Sequence, residues 1–135
     1  MILVLSCSRF GREAEYITGL FLSNNDWLVF FSKGSRGPAD IVAKRYDLLL
    51  LIQVKSSTKI PRIRGGEIHD LLQMSNGIRN SYPILTLVHP NLDCNTNANT
   101  IVFGNYLLNF FLLPEWTSIN PIQTKTLTFN NLPNN

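Results

Sequence analysis

An acid, an amide and an ammonium are spaced in this chain so that one β-hairpin would bring them together. Asp40 to Arg45 and Leu48 to Lys55 form two runs on either side of Tyr46-Asp47. With Tyr46-Asp47 as a two-residue loop, antiparallel pairing sets Asp40 directly across from Gln53, with both side chains on one face. Lys55 lies two residues further on and shares that face. A slip of one residue would scatter the three, so the convergence depends on the loop length. The chemistry such a group supports is that of a hard divalent cation acting on phosphate. Mg²⁺ takes few protein oxygens and keeps positions open for water and substrate. Asp40 offers charge, Gln53 a neutral oxygen, and Lys55 an ammonium to stabilise charge developing on phosphate or to orient the attacking water. Polar groups on an otherwise Leu/Ile strand need partners, and a metal site supplies them.

A helix must bring a further carboxylate. Phe10, Ala14, Ile17 and Phe21 fall on one stripe at helical period, which predicts an amphipathic helix over 10–22, with Ser8 as N-cap and Asn24-Asn25 as the stop. Glu13 and Glu15 flank that stripe on opposite sides, and periodicity does not choose between them. Trp27 to Phe31 reads as a strand whose aromatics belong to the core. Lys33 to Pro38 is a basic turn, and Leu48 to Ile52 is apolar on both faces, as suits a central strand covered from both sides. Ile60 to Gly66 is a second basic loop. Glu67 to Asn80 reads as a second helix, with Ile68, Leu71, Leu72, Ser75 and Ile78 on one side. Ile84 to Val88 is a strand ended by His89-Pro90. Thr100 to Leu113 is apolar, a strand at 100–104 followed by a strand or short helix. The order α-β-β-β-α-β predicts an α/β fold, a mixed central sheet flanked by helices. The expected organisation is a single domain over 1–135, with its core from about 8 to 114 and a poorly defined tail over 115–135.

At 135 residues the chain has room for one core, and 44% hydrophobic residues exclude wholesale disorder. No apolar run approaches the roughly 20 residues of a transmembrane helix. Met1 to Leu5 is too short for a signal-peptide core. Cys7 and Cys94 make neither a disulfide framework nor a four-ligand zinc site, and His69 and His89 lack ligand spacing. These features predict a cytoplasmic protein with no membrane partner. The net charge is +3, and its distribution is uneven: from Lys33 to Arg64 eight basic residues stand against Asp40 and Asp47. From Asn91 onward only Lys125 is basic, against Asp93 and Glu115. A concentrated basic patch favours a polyanionic partner. Arg12, Lys33, Arg36, Lys59, Arg62 and Arg64 are the candidates for phosphate contacts, which are electrostatic and weaken steeply with salt.

Four motifs in one order carry a resemblance: Gly11-Arg12-Glu13-Ala14-Glu15 opening a helix, then Ser32-Lys33-Gly34-Ser35, then Pro38-Ala39-Asp40-Ile41-Val42-Ala43, then Ile52-Gln53-Val54-Lys55. From roughly Phe10 to Val88 the chain resembles the archaeal-type Holliday junction resolvases of the PD-(D/E)xK nuclease superfamily. The resemblance implies a restriction-endonuclease-like fold. It also implies a homodimer that cuts four-way DNA junctions with Mg²⁺, or Mn²⁺ as substitute, leaving a 5′-phosphate and a 3′-hydroxyl. It selects Glu15 over Glu13 and makes Asp40 the central metal ligand, with the Gln53 oxygen and the Val54 carbonyl beside it. It assigns Lys55 as the catalytic lysine and sets Ser35 near the scissile phosphate. A two-fold dimer would also give the apolar stretch Thr100 to Leu113 something to cover, where the alternative is ordinary core. The chain departs from the family at Gln53, where the motif has an acidic residue, and at Phe31-Ser32, where an arginine is common. Restriction enzymes resembling Mrr also carry QxK. The alternatives are therefore a related restriction or repair nuclease, or a DNA-binding module of the same fold with weakened metal affinity. The implied origin is prokaryotic, whether archaeal, viral or plasmid-borne.

Overall fold

Two helices and seven strands make up the described residues, 7–33, 37–56, 65–91 and 99–123, of the computed structural model. They are α1 (Cys7–Asn24), β1 (Leu28–Phe31), β2 (Ile41–Arg45), β3 (Leu48–Ser56), α2 (Gly65–Asn76), β4 (Ser81–Pro90), β5 (Ile101–Phe103), β6 (Tyr106–Leu112) and β7 (Thr117–Ile119), followed by a 3₁₀ turn at Pro121–Gln123. The expected α-β-β-β-α-β order is present, and three strands follow it. The sheet runs β1-β2-β3-β4-β6-β5, with β7 paired to β6. It is mixed: β3 and β4 are parallel and the other pairs antiparallel.

The hairpin register is the one read from the sequence. Ile41 pairs with Ile52 and Arg45 with Leu48, so Tyr46-Asp47 is the two-residue loop. β3 is the central strand, and its two faces feed two cores. Leu50, Ile52 and Val54 pack with Ala14, Ile17 and Phe21 of α1 on one side. Leu51 packs with Leu71 of α2 and Leu85 of β4 on the other. Leu50, Leu51 and Ile52 retain no exposed surface. Burying each side chain contributes about 1.5–3 kcal/mol, which ties the strand carrying Gln53 and Lys55 firmly into the middle of the molecule.

α1 stops where expected and starts earlier. Asn25 Nδ2 donates to Phe21 O at 2.8 Å, and the Asn25 and Trp27 N–H groups both reach Leu22 O at 3.0 Å. Asp26 turns the chain at φ 71. These bonds satisfy carbonyls that a helix end leaves orphaned. The helix already includes Cys7, so Ser8 is inside it and is not its N-cap. α2 ends at Asn76 rather than Asn80: the last turn tightens, with Gly77 N–H reaching Met74 O and Ile78 N–H reaching Ser75 O, and Asn80 takes φ 58. The Ser81 hydroxyl, 2.9 Å from Ser75 O and 2.7 Å from Ile78 O, ties that end to β4.

Three further expectations change: the burial of Phe30 and Phe31, the end of the core at 114 and the end of β4 at Val88. Trp27 is buried, but Phe30 and Phe31 are 54% and 49% exposed. β1 is the outer strand, and α2 packs over β3 and β4 rather than over it. The stretch after Thr100 keeps one of its two readings, a strand followed by a strand, turned at Gly104, φ 58, and Leu107, Leu108, Phe110 and Leu112 are ordinary core. The core also extends beyond 114: Ile119 on β7 is buried, and Pro121 O accepts from Trp27 Nε1 and from Arg45. β4 runs through His89-Pro90, with Pro90 opposite Tyr106.

Candidate active site

The site lies at the end of the sheet where β2 begins and β3 runs out. Gly37, at φ 85, turns the chain into Pro38-Ala39, and buried Ala39 anchors the approach to the strand. Asp40 follows, one residue outside the β2–β3 ladder. It is held from both sides: its N–H donates to Ile52 O at 2.8 Å, and its carbonyl accepts from Ser32 N–H at 2.9 Å. Its carboxylate Oδ2 accepts from Val54 N–H at 2.8 Å. Asp40 is thus fixed against the strand that carries the amide and the lysine, although the regular pairing expected between 40 and 53 stops one step short.

Gln53 and Lys55 project from β3 into the same cavity as Asp40, a space of about 900 Å³. Gln53 Oε1 is buried and has no hydrogen-bond partner among the described residues. Lys55 Nζ donates to Glu67 Oε1 at 3.0 Å. Helices on both faces of the sheet reach this end, so Glu15 of α1 and Glu67 and Asp70 of α2 line the cavity together. The choice between Glu13 and Glu15, open on periodicity, is visible here. Glu15 enters the cavity, whereas Glu13 accepts the Tyr106 hydroxyl at 2.7 Å. That hydrogen bond, with burial and the Glu13 charge, pushes the Tyr106 phenol up to about 12.

The electrostatics of the cavity are one-sided. Four carboxylates, Glu15, Asp40, Glu67 and Asp70, face one ammonium, Lys55, among the described residues that line it. Burial pushes the Asp40 carboxyl above its ordinary range; the Val54 N–H and Lys55 pull it down, and Glu67 pushes it up again. Glu15 is raised by burial first and by the Asp40 charge second. Removing carboxylates from water without supplying positive charge has this effect.

A divalent cation fits these residues. A cation would give the Gln53 oxygen a partner and offset the two carboxylates raised by burial. Among the described residues no three carboxylate, imidazole or thiol groups close into a ready-made cage. The donor set is therefore sparse and oxygen-rich, of the kind that suits a hard ion retaining its own waters.

Of the expected site residues, the structure brings together Glu15, Asp40, Gln53, Val54 and Lys55. Arg12 and Lys33 are exposed and outside the cavity lining. Ser35, Arg36, Lys59, Arg62 and Arg64 lie outside the described residues. Sequence reasoning missed Glu67 and Asp70. The available signal was their spacing of three at the start of α2, with Gln73 and Met74 continuing the same side.

No protein-family model and no curated protein matches the chain. Among solved structures it is similar to Hjc of Archaeoglobus fulgidus, a Holliday junction resolvase from an archaeal hyperthermophile. The two share 20% identity over 76% of each chain, with a TM-score of 0.58. The likeness shows the fold: the chain has the α/β, restriction-endonuclease-like architecture expected from its sequence, a mixed central sheet between helices.

Proposed function

We propose that the chain is a divalent-cation-dependent DNA endonuclease that hydrolyses phosphodiester bonds in branched DNA, acting as a Holliday junction resolvase and as a homodimer. One observation carries this reading: Asp40, the unpartnered Gln53 oxygen and Lys55 converge in a cavity with an excess of negative charge. Such a cavity repels a phosphodiester unless a cation enters with it, and Lys55 lies within the same cavity to meet the phosphate.

Asp40 and the Gln53 side-chain oxygen would hold Mg²⁺ or Mn²⁺, with the Val54 carbonyl and Glu15 beside them. When bound, the ion supplies an acidified water and offsets charge on the phosphate. The Val54 N–H keeps the Asp40 carboxylate fixed against β3. Glu15 lines the same cavity and would assist the ion directly or through a water. Water adds to phosphorus in line, the bond from phosphorus to O3′ breaks, and a proton restores the 3′-hydroxyl. Lys55 stabilises the charge that builds on the phosphate oxygens. Arg12 and Lys33, with Arg36, Lys59, Arg62, Arg64 and Ser35 in the segments leading to and from the site, would contact the DNA backbone. Two copies related by a two-fold axis would meet the two equivalent strands of a junction.

A cleavage panel tests the reading. Purified protein in Mg²⁺ is expected to cut a four-way junction in preference to a flap or a linear duplex, and EDTA is expected to stop it. Equal cutting of all three would favour a restriction or repair nuclease, the alternative that the amide at position 53 supports. Salt-sensitive DNA binding with no cutting in Mg²⁺ or Mn²⁺ would favour a DNA-binding module of the same fold.

A further inference from the structure

The strand position at which an acid would serve the cation holds an amide, yet the cavity is not short of acids. Glu67, in the first turn of α2, shares the cavity with Gln53, and its charge reaches Asp40. In the structure its carboxylate accepts from Lys55 Nζ at 3.0 Å. The two side chains keep 26% and 32% of their surface exposed, so the pair stands at the boundary between the cavity and solvent. A partly exposed pair of this kind contributes little to stability. It does neutralise the ammonium on which the proposed chemistry depends. Asp70, one turn along the same side of α2, is more exposed.

We infer that Glu67 is the displaced carboxylate of this site: it holds Lys55 in the cation-free protein, turns to the divalent cation when one enters, and so releases Lys55 toward the phosphate. The negative charge that Gln53 lacks then comes from the helix rather than the strand. This role presupposes the cation-dependent activity proposed above.

The test is calorimetric titration of Mn²⁺ into the metal-stripped full chain, with no DNA present. Glu67→Gln is expected to weaken Mn²⁺ binding by about 10-fold or more, the scale on which groups around a metal act, while Asp70→Asn changes it by less than about 3-fold. Adding Gln53→Glu to Glu67→Gln is expected to restore binding to near the wild-type value, because the charge returns to the strand. Unchanged Mn²⁺ binding in Glu67→Gln overturns the role of Glu67 and leaves the cation site standing. Loss in Glu67→Gln that Gln53→Glu fails to restore also overturns it, since the glutamate would then matter to the fold alone, and a lowered melting temperature would show that. A wild-type chain that takes up no Mn²⁺ removes the cation-dependent reading itself. The release step has its own readout. Mg²⁺ is expected to raise acylation of the wild-type Lys55 amine by an amine-reactive reagent to the rate that Glu67→Gln shows without cation, and an unchanged rate overturns release.

Discussion

The two ends of the β2–β3 hairpin handle charge in opposite ways. At the turn end, Arg45 Nη1 donates to Asn25 O at 3.0 Å and Nη2 to Pro121 O at 3.3 Å. Its guanidinium lies 4.3 Å from the centre of the Trp27 ring. One cation has found carbonyls and an aromatic face, and the cluster joins the end of α1 to the chain after β7. At the other end, carboxylates crowd together, an amide oxygen has no partner, and the one lysine among the described lining residues is bound to a glutamate. The turn-end cation is met largely from within the fold, although Arg45 Nε finds no partner among the described residues. The other end gathers several carboxylates around one ammonium, and burial pushes Asp40 and Glu15 up there.

The sharpest way to separate the ends is to neutralise the acid at one of them. Asp40→Asn is expected to lower junction cleavage by about 10³-fold while leaving junction binding within a few-fold, because it removes a ligand for the ion and little else. The same substitution should raise the melting temperature of the metal-free protein at neutral pH. A variant that cuts normally would misplace the site. Lys55→Ala should lower cleavage by about 10²- to 10³-fold, again with binding retained.

The opposite signature belongs to the turn end. Arg45→Ala removes two hydrogen bonds from a charged donor and a ring contact, so stability should fall by about 2 kcal/mol in denaturant unfolding. Cleavage per folded molecule should not change. A nuclease defect in Arg45→Ala without a loss of stability would break the contrast.

The hairpin was the most legible part of the molecule. Two apolar runs around Tyr46-Asp47 fixed the register, and the register fixed which side chains meet, because a sheet alternates faces without exception. The acids of α2 were not legible in the same way. Glu67 and Asp70 sit beside an apolar stripe that explains the helix fully, so they read as solvent-facing charges until the crossover between two parallel strands placed them. The exposure of Phe30 and Phe31 was hidden for a related reason: composition marks a strand, but only the strand order shows that it is an edge. β7 escaped because Thr117–Ile119 is too short for a period to register.

pH offers a gentler probe. Asp40 and Glu15 both titrate above their ordinary values in the folded chain. The folded state therefore binds their protons more tightly than the unfolded state does. The stability these groups contribute is fully present below the ordinary carboxylate range and is lost as pH rises through their raised values. The metal-free wild type should accordingly lose more melting temperature between mildly acidic and neutral pH than the Glu15→Gln/Asp40→Asn double variant. Mg²⁺ should reduce that difference. Equal slopes in the two proteins would remove the evidence for an electrostatic deficit.

The smallest expected effect lies on the carboxylate that the cavity does not use. Glu13→Gln should bring the Tyr106 phenol down from about 12 toward its ordinary 10, followed by ultraviolet titration, with cleavage unchanged. A large loss of activity in this variant would return Glu13 to consideration.

The parallel pairing of β3 with β4 decides more than the shape of the sheet. A chain leaving the tip of one strand must travel back along the whole sheet before it can begin a neighbour running the same way, and it makes that return journey as α2. The first turn of the helix therefore hangs over the tip of β3, wherever evolution sets the intervening loop length. An acid in that turn stands close to the strand tip without disturbing the hydrophobic scaffold. Such a topology gives a charge at this end of the sheet two independent addresses, one on the strand and one on the helix.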